Sequence, residues 1–316
     1  MIGTRLVALT GATGFLGLHV VKALARSGAR IRLLARRDPA HTFWQGIPFD
    51  VVAGDLEDLN ALEKLTTGAD VVVHMAGLIK ARSREFMRVN RDGARAVAEA
   101  TMRYAPGALF IATSSLAARE PKLSQYAASK RAGEDAVRTV FAHAPGQLVI
   151  VRPPAIYGPW DRETLAIFKA ASHAIAPVLG SGRIAIVHAD DAAGAIASLA
   201  IGAKNGGSYA LADINPAGYS TTELLREAAR ALGNTPRLFR VPSPMLVAAG
   251  FASQAWGGVS RRTPIFTSGK VRELLHPDWS VAPDELLPVA IYRSKIGIRE
   301  GFATTAAWYK AAGWIH

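Results

Sequence analysis

A tyrosine and a lysine stand four residues apart in a segment whose sequence pattern is helical. Tyr126 and Lys130 lie within the predicted helix Ser124–Ala142, where residues four apart project from one face. A phenol has an ordinary pKa of about 10, so at neutral pH it exchanges protons poorly unless its anion is stabilised. An ammonium group one helical turn away lowers that pKa. The pair predicts that Tyr126 acts as a general acid or base, although such a pair without further context is typical of a helix surface.

A serine hydroxyl is expected close to this pair. Ser115 ends the sequence Thr113-Ser114-Ser115, which follows the predicted strand Ala108–Thr113. We therefore expect Ser115 at the carboxyl end of a sheet, where its hydroxyl would hydrogen-bond the same substrate oxygen as Tyr126.

A glycine-rich turn near the start of the chain has the spacing of a dinucleotide site. The segment Thr10–Gly17 follows the predicted strand Arg5–Thr10 and opens a predicted helix. Gly11 permits a tight turn, Gly14 the approach of backbone to a pyrophosphate, and Gly17 close packing of helix on strand. The spacing alone also suits a turn without a ligand, but the strand, turn and helix context favours dinucleotide binding. The predicted cofactor contacts in this turn are Gly11, Thr13, Gly14, Phe15, Leu16 and Gly17.

The end of the second predicted strand, Ile31–Leu34, bears on the choice of cofactor. NAD sites usually carry a carboxylate there that holds the ribose 2′-hydroxyl, whereas this chain has Ala35 followed by Arg36 and Arg37. Guanidinium groups attract a 2′-phosphate through charge-assisted hydrogen bonds, so the sequence favours NADP(H). Two solvated loop arginines are the alternative interpretation. Asp55, after the third strand, is placed to meet the adenine edge.

The first half of the chain alternates runs rich in Val, Ile and Leu with longer helical segments. This rhythm predicts an α/β fold with a doubly wound, Rossmann-type parallel sheet and right-handed crossovers. The predicted buried strands are Arg5–Thr10, Ile31–Leu34, Phe49–Ala53, Asp70–His74, Ala108–Thr113 and Gln147–Arg152. The predicted helices are Phe15–Ser27, Asp58–Thr66, Arg84–Tyr104 and Ser124–Ala142.

The pattern loosens after Pro153, and a strand and helix signal returns at Ile184–Ala203. We therefore expect two separate segments to build a smaller, mixed substrate-binding lobe beside the nucleotide-binding domain. The predicted NADP-binding Rossmann domain comprises residues 1–160 and 184–212. The predicted substrate lobe comprises residues 161–183 and 213–316.

Composition limits the chemistry that the chain can perform. The 316 residues include 37 Lys and Arg against 25 Asp and Glu, which gives a formal net charge of +12, and there is no cysteine. Disulfides, thiolate metal sites and catalytic thiols are therefore excluded. The 8 histidines show no metal-ligand spacing, so no metal site is predicted. With 50% hydrophobic and 20% charged residues, wholesale disorder is excluded as well.

The positive charge and the apolar segments raise the questions of nucleic-acid binding and of cellular location. No nucleic-acid recognition motif accompanies the charge, so nucleic acid is not an expected partner. The apolar stretch Leu6–Leu18 contains three glycines, and Pro244–Trp256 is too short to cross a bilayer. We expect a cytoplasmic protein, with the inner face of the membrane as the place of any peripheral contact.

Together these motifs resemble those of the extended short-chain dehydrogenases/reductases, in the NAD-dependent epimerase/dehydratase group. The resemblance extends over nearly the whole chain and is specific for the family rather than for one substrate. The matching segments are Thr10–Gly17, Gly54-Asp55-Leu56, His74-Met75-Ala76-Gly77, Asn90, Thr113-Ser114-Ser115, Tyr126 with Lys130, Arg152-Pro153-Pro154 with Tyr157-Gly158-Pro159, His188-Ala189-Asp190-Asp191, and Thr304 with Trp308-Tyr309 and Gly313-Trp314.

The resemblance implies roles for individual residues. Ser115, Tyr126 and Lys130 would form the catalytic triad, and Lys130 would also hold the nicotinamide ribose. The positive ring of the oxidised cofactor would join Lys130 in lowering the Tyr126 pKa. Further cofactor contacts are implied for Asp55, Leu56, Ala76 and Gly77, and for the backbone that borders the nicotinamide around Pro153 and Ile156.

Departures from the sugar-nucleotide members of the family indicate a substrate class. Those members usually carry an Asn shortly after the Arg of the sixth strand, whereas this chain has Arg152-Pro153-Pro154-Ala155-Ile156. The sequence Leu116-Ala117-Ala118 after Ser115 predicts an apolar wall where dehydratases tend to carry acidic residues. The closest resemblance is to the 3β-hydroxysteroid dehydrogenase, dihydroflavonol reductase and lipid ketone reductase branch. We predict NADPH-dependent reduction of a lipid-like ketone, such as a 3-keto sphingoid, ceramide-type or steroid-like ketone, with Tyr126 as general acid.

Two other functions stay open at this point. A sugar-nucleotide epimerase or dehydratase would use the same fold and triad, but its hydride would never leave the enzyme. A non-catalytic nucleotide-binding subunit of a larger complex would often lack the tyrosine or lysine of the pair, which this chain retains.

Two segments raise the question of partners. Pro244–Trp256 would line an acyl-chain tunnel, rest on a membrane surface or form an ordinary buried helix, and the last is favoured. Arg84, Arg88, Arg91 and Arg95 follow helical spacing as a basic stripe, which would meet anionic lipid or an acidic carrier protein if it is not simply solvated. A homodimer through the helices Arg84–Tyr104 and Ser124–Ala142 would suit the family.

Overall fold

The computed structural model describes residues 4–202, 206–260 and 267–315, except for the side chains of residues 254–260. Its central strands are β1 (Leu6–Thr10), β2 (Arg30–Ala35), β3 (Asp50–Ala53), β4 (Val71–His74), β5 (Leu109–Thr113), β6 (Leu148–Arg152) and, later in the chain, β11 (Gly207–Ala210). They form one parallel sheet in the order β11-β6-β5-β4-β1-β2-β3. Each of the six predicted strands is present, with its ends shifted by one residue at most.

Helices cover both faces of this sheet, because successive side chains of each strand point to opposite sides. Val7 and Leu9 of β1 face one hydrophobic core, and Ala8 faces the other. The helices are α1 (Phe15–Arg26), α2 (Leu59–Thr66), α3 (Ser83–Phe86), α4 (Ala94–Tyr104), α5 (Gln125–Val140) and α7 (Ala189–Gly202). α1 and α7 pack on the first face, and α2, α4 and α5 pack on the second. The predicted Rossmann-type fold is thereby confirmed.

A smaller, mixed region follows β6. Its strands are β7 (Ala155–Tyr157), β8 (Ile175–Val178), β9 (Arg183–Ile184), β10 (Ile186–His188), β12 (Tyr219–Ser220), β13 (Arg237–Arg240) and β14 (Asp278–Trp279). They form the small sheets β10-β7, β12-β9-β14 and β13-β8. Its helices are α6 (Leu165–Ala171), α8 (Thr221–Leu232), α9 (Ser243–Ser260), α10 (Ser268–Leu275) and α11 (Ile298–Ala311). Its core includes Phe168, Leu224, Phe302 and Tyr309. The boundaries of the substrate lobe, residues 161–183 and 213–316, stay a prediction.

Two local predictions were wrong. The segment Phe49–Ala53 was expected to be a buried strand, but β3 is the edge strand of the sheet and leaves Val51 47% exposed. The segment Arg84–Tyr104 was expected to be one continuous α-helix, but a π-helical segment, Met87–Gly93, separates α3 from α4. Shorter 3-10 turns lie at Thr42–Trp44, Leu116–Arg119 and Pro145–Gln147.

The favoured interpretation of Pro244–Trp256 as a buried helix was also wrong for the side chains that the structure describes. The segment lies in α9, where Leu246 and Gly250 are buried but Met245 and Phe251 are exposed. The side chains of residues 254–256 lie outside the described residues. Within the described ranges, no helix has the length and the apolar character needed to cross a bilayer.

Two glycines allow the turn after β1 to pass very close to its neighbours. Gly11 has a φ of +75°, and a Cβ atom there would lie 2.4 Å from the backbone nitrogen of Ala76. A Cβ atom on Gly17, in the first turns of α1, would lie 2.3 Å from the Gly11 carbonyl oxygen. Because both contacts are with backbone atoms, no side-chain movement relieves them. The turn is therefore fixed between α1 and the end of β4.

We expect Gly11→Ala to destabilise the fold far more than Gly28→Ala. Gly28 has the same φ of +75°, but a Cβ atom there meets nothing within 4 Å. The control substitution therefore introduces only the conformational strain of about 1–2 kcal/mol. Gly11→Ala adds a collision that costs roughly 1–3 kcal/mol more. Urea denaturation of both variants measures the difference, and equal losses would contradict the close approach.

Candidate functional site

The first turn of α1 presents backbone N–H groups at the carboxyl end of the sheet. Gly14 precedes the helix without a side-chain cap, and the first turn carries no acidic residue. The positive end of the helix is therefore free of competing negative charge, as an anion site requires. Gly14 N also donates to the Gly11 carbonyl oxygen over 3.1 Å, which closes the turn. This geometry fits a pyrophosphate, and the contacts assigned to residues 11–17 stay a prediction.

Hydrogen bonds join this turn to the end of β4. Thr10 Oγ1 and His74 Nδ1 lie 2.8 Å apart, and Ala76 N donates to Thr10 Oγ1 over 3.4 Å. His74 is buried and stacks on Phe110. Burial, followed by the charge of Lys130, lowers the pKa of His74 to about 3, so its imidazole is neutral. Ala76 is thereby held beside the glycine turn, at the edge predicted to contact the cofactor.

Two arginines follow the carboxyl end of β2, the strand next to β1. Arg36 and Arg37 are exposed directly after β2, and neither has a hydrogen-bond or ion-pair partner among the residues that the structure describes. Asp55 follows the adjacent strand β3 and accepts a hydrogen bond from Glu57 N over 2.9 Å, so one of its oxygens shapes the local turn. Leu56 packs against Gly93, where a Cβ atom would lie 2.7 Å from Leu56 Cδ1.

The catalytic pair predicted from the sequence lies on the first turns of α5. Ser124 caps this helix, since its hydroxyl oxygen accepts a hydrogen bond from Ala127 N over 3.0 Å. Lys130 Nζ donates to the carbonyl oxygen of Thr113 over 2.9 Å, which joins the helix to the end of β5. The ring of Tyr126 has its centroid 6.1 Å from that of Phe86. The structure thus brings Tyr126 and Lys130 to the carboxyl end of the sheet, where Ala76 also lies.

Burial controls the proton on Tyr126. It raises the pKa of the phenol to about 12, the nearby Ser115 hydroxyl offsets part of that rise, and the charge of Glu273 adds to it. The phenol is therefore neutral at physiological pH, in the form that can donate a proton. The lowering expected from the sequence involved Lys130 and an oxidised cofactor, and it stays a prediction for the complex.

Burial also acts on the lysine. It lowers the pKa of Lys130 to about 8, and the negative charge of Glu134 offsets part of that effect. A Cβ atom on Gly77 would lie 3.6 Å from Lys130 Nζ, so the ammonium group faces the loop after β4. Lys130 therefore lies one helical turn from Tyr126 and faces the predicted cofactor path.

Asn90 fixes the opposite side of that loop. Its side chain accepts from Leu78 N over 2.7 Å and donates to Leu78 O over 3.0 Å. It also donates to Ser129 Oγ over 2.9 Å, so the π-helical segment Met87–Gly93 is tied to α5 next to Lys130. π-helical turns inside helices are frequent at functional sites.

The region after β5 differs from the apolar wall predicted for it. Leu116 is buried in a small core with Val281, Ala118 is buried as well, and Ala117 alone of the three is partly exposed. Leu116 N donates to the carbonyl oxygen of Pro153 over 2.8 Å, which holds the two loops together. These residues support the site from behind rather than facing a ligand.

Sequence reasoning missed an ion pair below Lys130. Arg152 binds the buried Glu134 with two hydrogen bonds, Nε to Oε1 at 2.8 Å and Nη2 to Oε2 at 2.6 Å. Burial alone would raise the pKa of Glu134, but the hydrogen bonds and charge of Arg152 outweigh it and keep the carboxyl ionised. The spacing of Lys130, Glu134 and Arg138 on one helix face was the available signal. Nothing in the sequence linked Glu273, which hydrogen-bonds the cap residue Ser124.

A model of the NAD dependent epimerase/dehydratase family matches residues 7–212 of this chain. The chain belongs to this family. It is accordingly an NAD(P)-dependent oxidoreductase with a nicotinamide cofactor, as the glycine turn and the Tyr126–Lys130 pair indicated.

Two curated proteins and one solved structure are similar to this chain. The ceramide reductase of Caulobacter vibrioides is 50% identical over 312 residues, which cover 98% of this chain and 96% of that protein. A rat protein, mitochondrial NADH dehydrogenase [ubiquinone] 1 alpha subcomplex subunit 9, is 32% identical over 158 residues, 48% of this chain and 41% of its own length. The structure of UDP-glucose 4-epimerase from Bifidobacterium longum with NAD+ and UDP covers 98% of this chain and 99% of its own, with a TM-score of 0.72 at 18% identity. That last likeness shows the fold alone.

The neutral, buried His74 makes stability depend on pH. The folded pKa of about 3 lies below the ordinary value of about 6.5, so the unfolded chain binds a proton that the folded chain excludes between these values. Stability therefore falls as pH decreases through this window, by up to about 1.4 kcal/mol per pH unit from this group. His74→Gln should remove that part of the slope, whereas His173→Gln, at an exposed histidine, should retain it. Denaturant unfolding at several pH values measures both slopes, and parallel slopes for the two variants would contradict the assignment.

Proposed function

We propose that this protein is an NADPH-dependent reductase that converts the ketone of a ceramide-type lipid to an alcohol. The observation that carries the proposal is the 50% identity to a ceramide reductase across 98% of the chain, together with the retained Ser115, Tyr126 and Lys130. The match covers both the nucleotide-binding part and the region after β6, where substrates are selected in the predicted arrangement.

Tyr126 supplies the proton. With its pKa raised to about 12, the phenol carries a proton at neutral pH and can donate it to a carbonyl oxygen as that oxygen gains negative charge. The Ser115 hydroxyl, close enough to favour the phenolate, orients the same oxygen. When bound, the reduced nicotinamide supplies a hydride to the carbonyl carbon, so that hydride and proton together convert C=O to CH–OH.

Lys130 supports both the cofactor and the proton donor. Its ammonium group bonds to Thr113 O and faces Gly77, a position from which it can hydrogen-bond a ribose hydroxyl. After proton transfer, its positive charge stabilises the phenolate of Tyr126. Glu134 helps to keep that charge, because its ionised carboxylate raises the pKa of Lys130 against the effect of burial.

The preference for NADPH rests on Arg36 and Arg37. Both residues are exposed at the end of β2, and neither side chain has a partner among the described residues. A 2′-phosphate is a dianionic group that such a pair can bind, and Ala35 offers no carboxylate to repel it. The neighbouring Asp55 is proposed to meet the adenine edge.

The two alternative functions have weaker support. An epimerase of sugar nucleotides has the same fold, but the likeness to the Bifidobacterium longum enzyme is at 18% identity. A structural subunit is suggested by the rat relative, which matches less than half of this chain. We place the reductase in the cytoplasm, and the homodimer through α4 and α5 stays a prediction.

Tyr126→Phe should abolish reduction while NADPH still binds. Loss of a general acid lowers turnover by about a hundredfold to ten-thousandfold, because the carbonyl oxygen then receives no positioned proton. Stoichiometric NADPH oxidation with a 3-keto ceramide-type lipid, and NADPH binding by fluorescence titration, measure the two properties. Tyr104→Phe, on a partly exposed tyrosine of α4, is the control and should leave both unchanged. Normal turnover by the Tyr126 variant would disprove the mechanism, and interconversion of a UDP-sugar would favour the epimerase.

Arg36→Ala combined with Arg37→Ala should raise the KM for NADPH and leave that for NADH nearly constant. A hydrogen bond to a charged group contributes about 1.5–3 kcal/mol, so the loss of one such bond from this exposed pair raises the KM by roughly tenfold to a hundredfold. Arg103→Ala, at an exposed arginine of α4, controls for the general loss of positive charge. Equal effects on the two cofactors would show that the arginines do not bind the 2′-phosphate.

A further inference from the structure

The exposed side of α9 is apolar. Met245 is 62% exposed, Phe251 is 60% exposed and Val247 is 38% exposed, while Leu246 and Gly250 point inward. The exposed residues between 244 and 252 cover an arc of about 200° around the helix axis at 3.6 residues per turn. They are Pro244, Met245, Val247, Ala248, Ala249, Phe251 and Ala252, and we call them the α9 face. A contiguous apolar surface of this kind marks an interaction site.

The surrounding sequence carries positive charge only. Residues 241–260 contain no charged side chain, and residues 231–272 contain no Asp or Glu. Within residues 231–272 the basic residues are Arg237, Arg240, Arg261, Arg262, Lys270 and Arg272. In β13, directly before α9, Arg237 and Arg240 are exposed without an ion-pair partner among the described residues, and Phe239 between them is 48% exposed.

This combination selects the kind of partner. A protein groove receives one narrow stripe of a helix, whereas the α9 face covers more than half of the circumference. A lipid interface accepts such a broad apolar face, and anionic headgroups complement the cations beside it. Residues 231–272 contain no acidic residue, and the following Glu273 is mostly buried and paired with Lys270, so anionic lipids meet little repulsion from this stretch.

Helix α10 connects α9 to α5, the helix that carries Tyr126 and Lys130. Gly250 packs on Val271, where a Cβ atom would lie 2.8 Å from Val271 Cγ2. In α10, Gly269 packs on Ser124, and Arg272 Nε donates to Leu123 O over 2.8 Å. Ser124 caps α5 two residues before Tyr126, so one layer of helix separates the α9 face from the residues that precede the proton donor.

We propose that the α9 face docks on a bilayer surface that contains anionic lipids. Met245, Val247 and Phe251 enter the boundary between headgroups and acyl chains, and Arg237 and Arg240 contact the headgroups. Docking places the catalytic helix beside the membrane, from which a lipid ketone can enter without crossing water. That consequence rests on the proposed function, whereas the docking itself does not require turnover.

Vesicle flotation tests the docking with the full-length protein and no ketone lipid. Wild type should float with vesicles of equimolar phosphatidylcholine and phosphatidylglycerol, and much less with phosphatidylcholine alone. Met245→Ser with Phe251→Ser should weaken binding at least about tenfold, because two large apolar side chains lose their burial. Leu59→Ser with Val289→Ser is the matched control, since these residues are 70% and 64% exposed elsewhere on the surface, and it should bind as wild type. Arg237→Gln and Arg240→Gln should each weaken binding about fivefold.

A thiol label gives a second measurement on the same face. The chain has no cysteine, so Phe251→Cys or Val289→Cys carries a polarity-sensitive dye at one position. The emission of the dye at position 251 should shift to the blue with anionic vesicles, and that at position 289 should not.

Equal flotation of the Met245/Phe251 variant and its control would overturn the proposal, as would absence of binding to both vesicle types. A dimer in light scattering that the same variant abolishes, without vesicle binding by wild type, would assign the face to a second copy of the chain instead. Loss of turnover by Tyr126→Phe leaves these binding results unchanged, so the two proposals fail separately.

Discussion

The close approach of the turn after β1 to the loop after β4 is the constraint on which the site depends. Gly11 lies against the backbone of Ala76, and Thr10 bonds to His74 at the end of the same strand. Because these contacts leave no space for a side chain, the start of α1 and the loop that carries Ala76 keep one separation. The helix α5, which carries Tyr126 and Lys130, is then fixed to that loop through Asn90 and Ser129. The predicted cofactor turn and the helix that carries Tyr126 thus share one backbone framework.

The sequence was sufficient for six of the seven strands of the central sheet, because they read as apolar runs, whereas the short strand β11 was not predicted. It failed for β3, since an apolar run does not show whether a strand lies at an edge, and Val51 is exposed there. Local motifs located Tyr126, Lys130 and Ser115, which lie in short segments with a fixed relation to the sheet. The partnership of Arg152 with Glu134 joins a strand to a helix, and that of Glu273 with Ser124 joins segments far apart in sequence. No local pattern contains such contacts, because the fold alone brings the partners together.

Burial shifts the pKa values of two neighbouring groups in opposite directions. It raises the pKa of Tyr126 to about 12 and lowers that of Lys130 to about 8, so both neutral forms become easier to reach. Glu134 counters this for the lysine, and its own charge is held by Arg152. The ion pair between Glu134 and Arg152 therefore affects the pKa of Lys130. Sequence spacing gives the positions of these groups, whereas the balance between burial and charge needs the packed structure.

The π-helical segment Met87–Gly93 also changes how the positive charge of the chain is distributed. A π turn bonds each residue to one five positions away, so the residues that follow are rotated relative to an uninterrupted α-helix. In this region Arg88 pairs with Glu57, and Arg91 and Arg95 both approach Asp92. Three of the four arginines in the predicted stripe are therefore close to carboxylates, whereas the exposed Arg84 has no ion-pair partner among the described residues. Exposed cations without an ion-pair partner among the described residues also stand at the end of β2 and along β13.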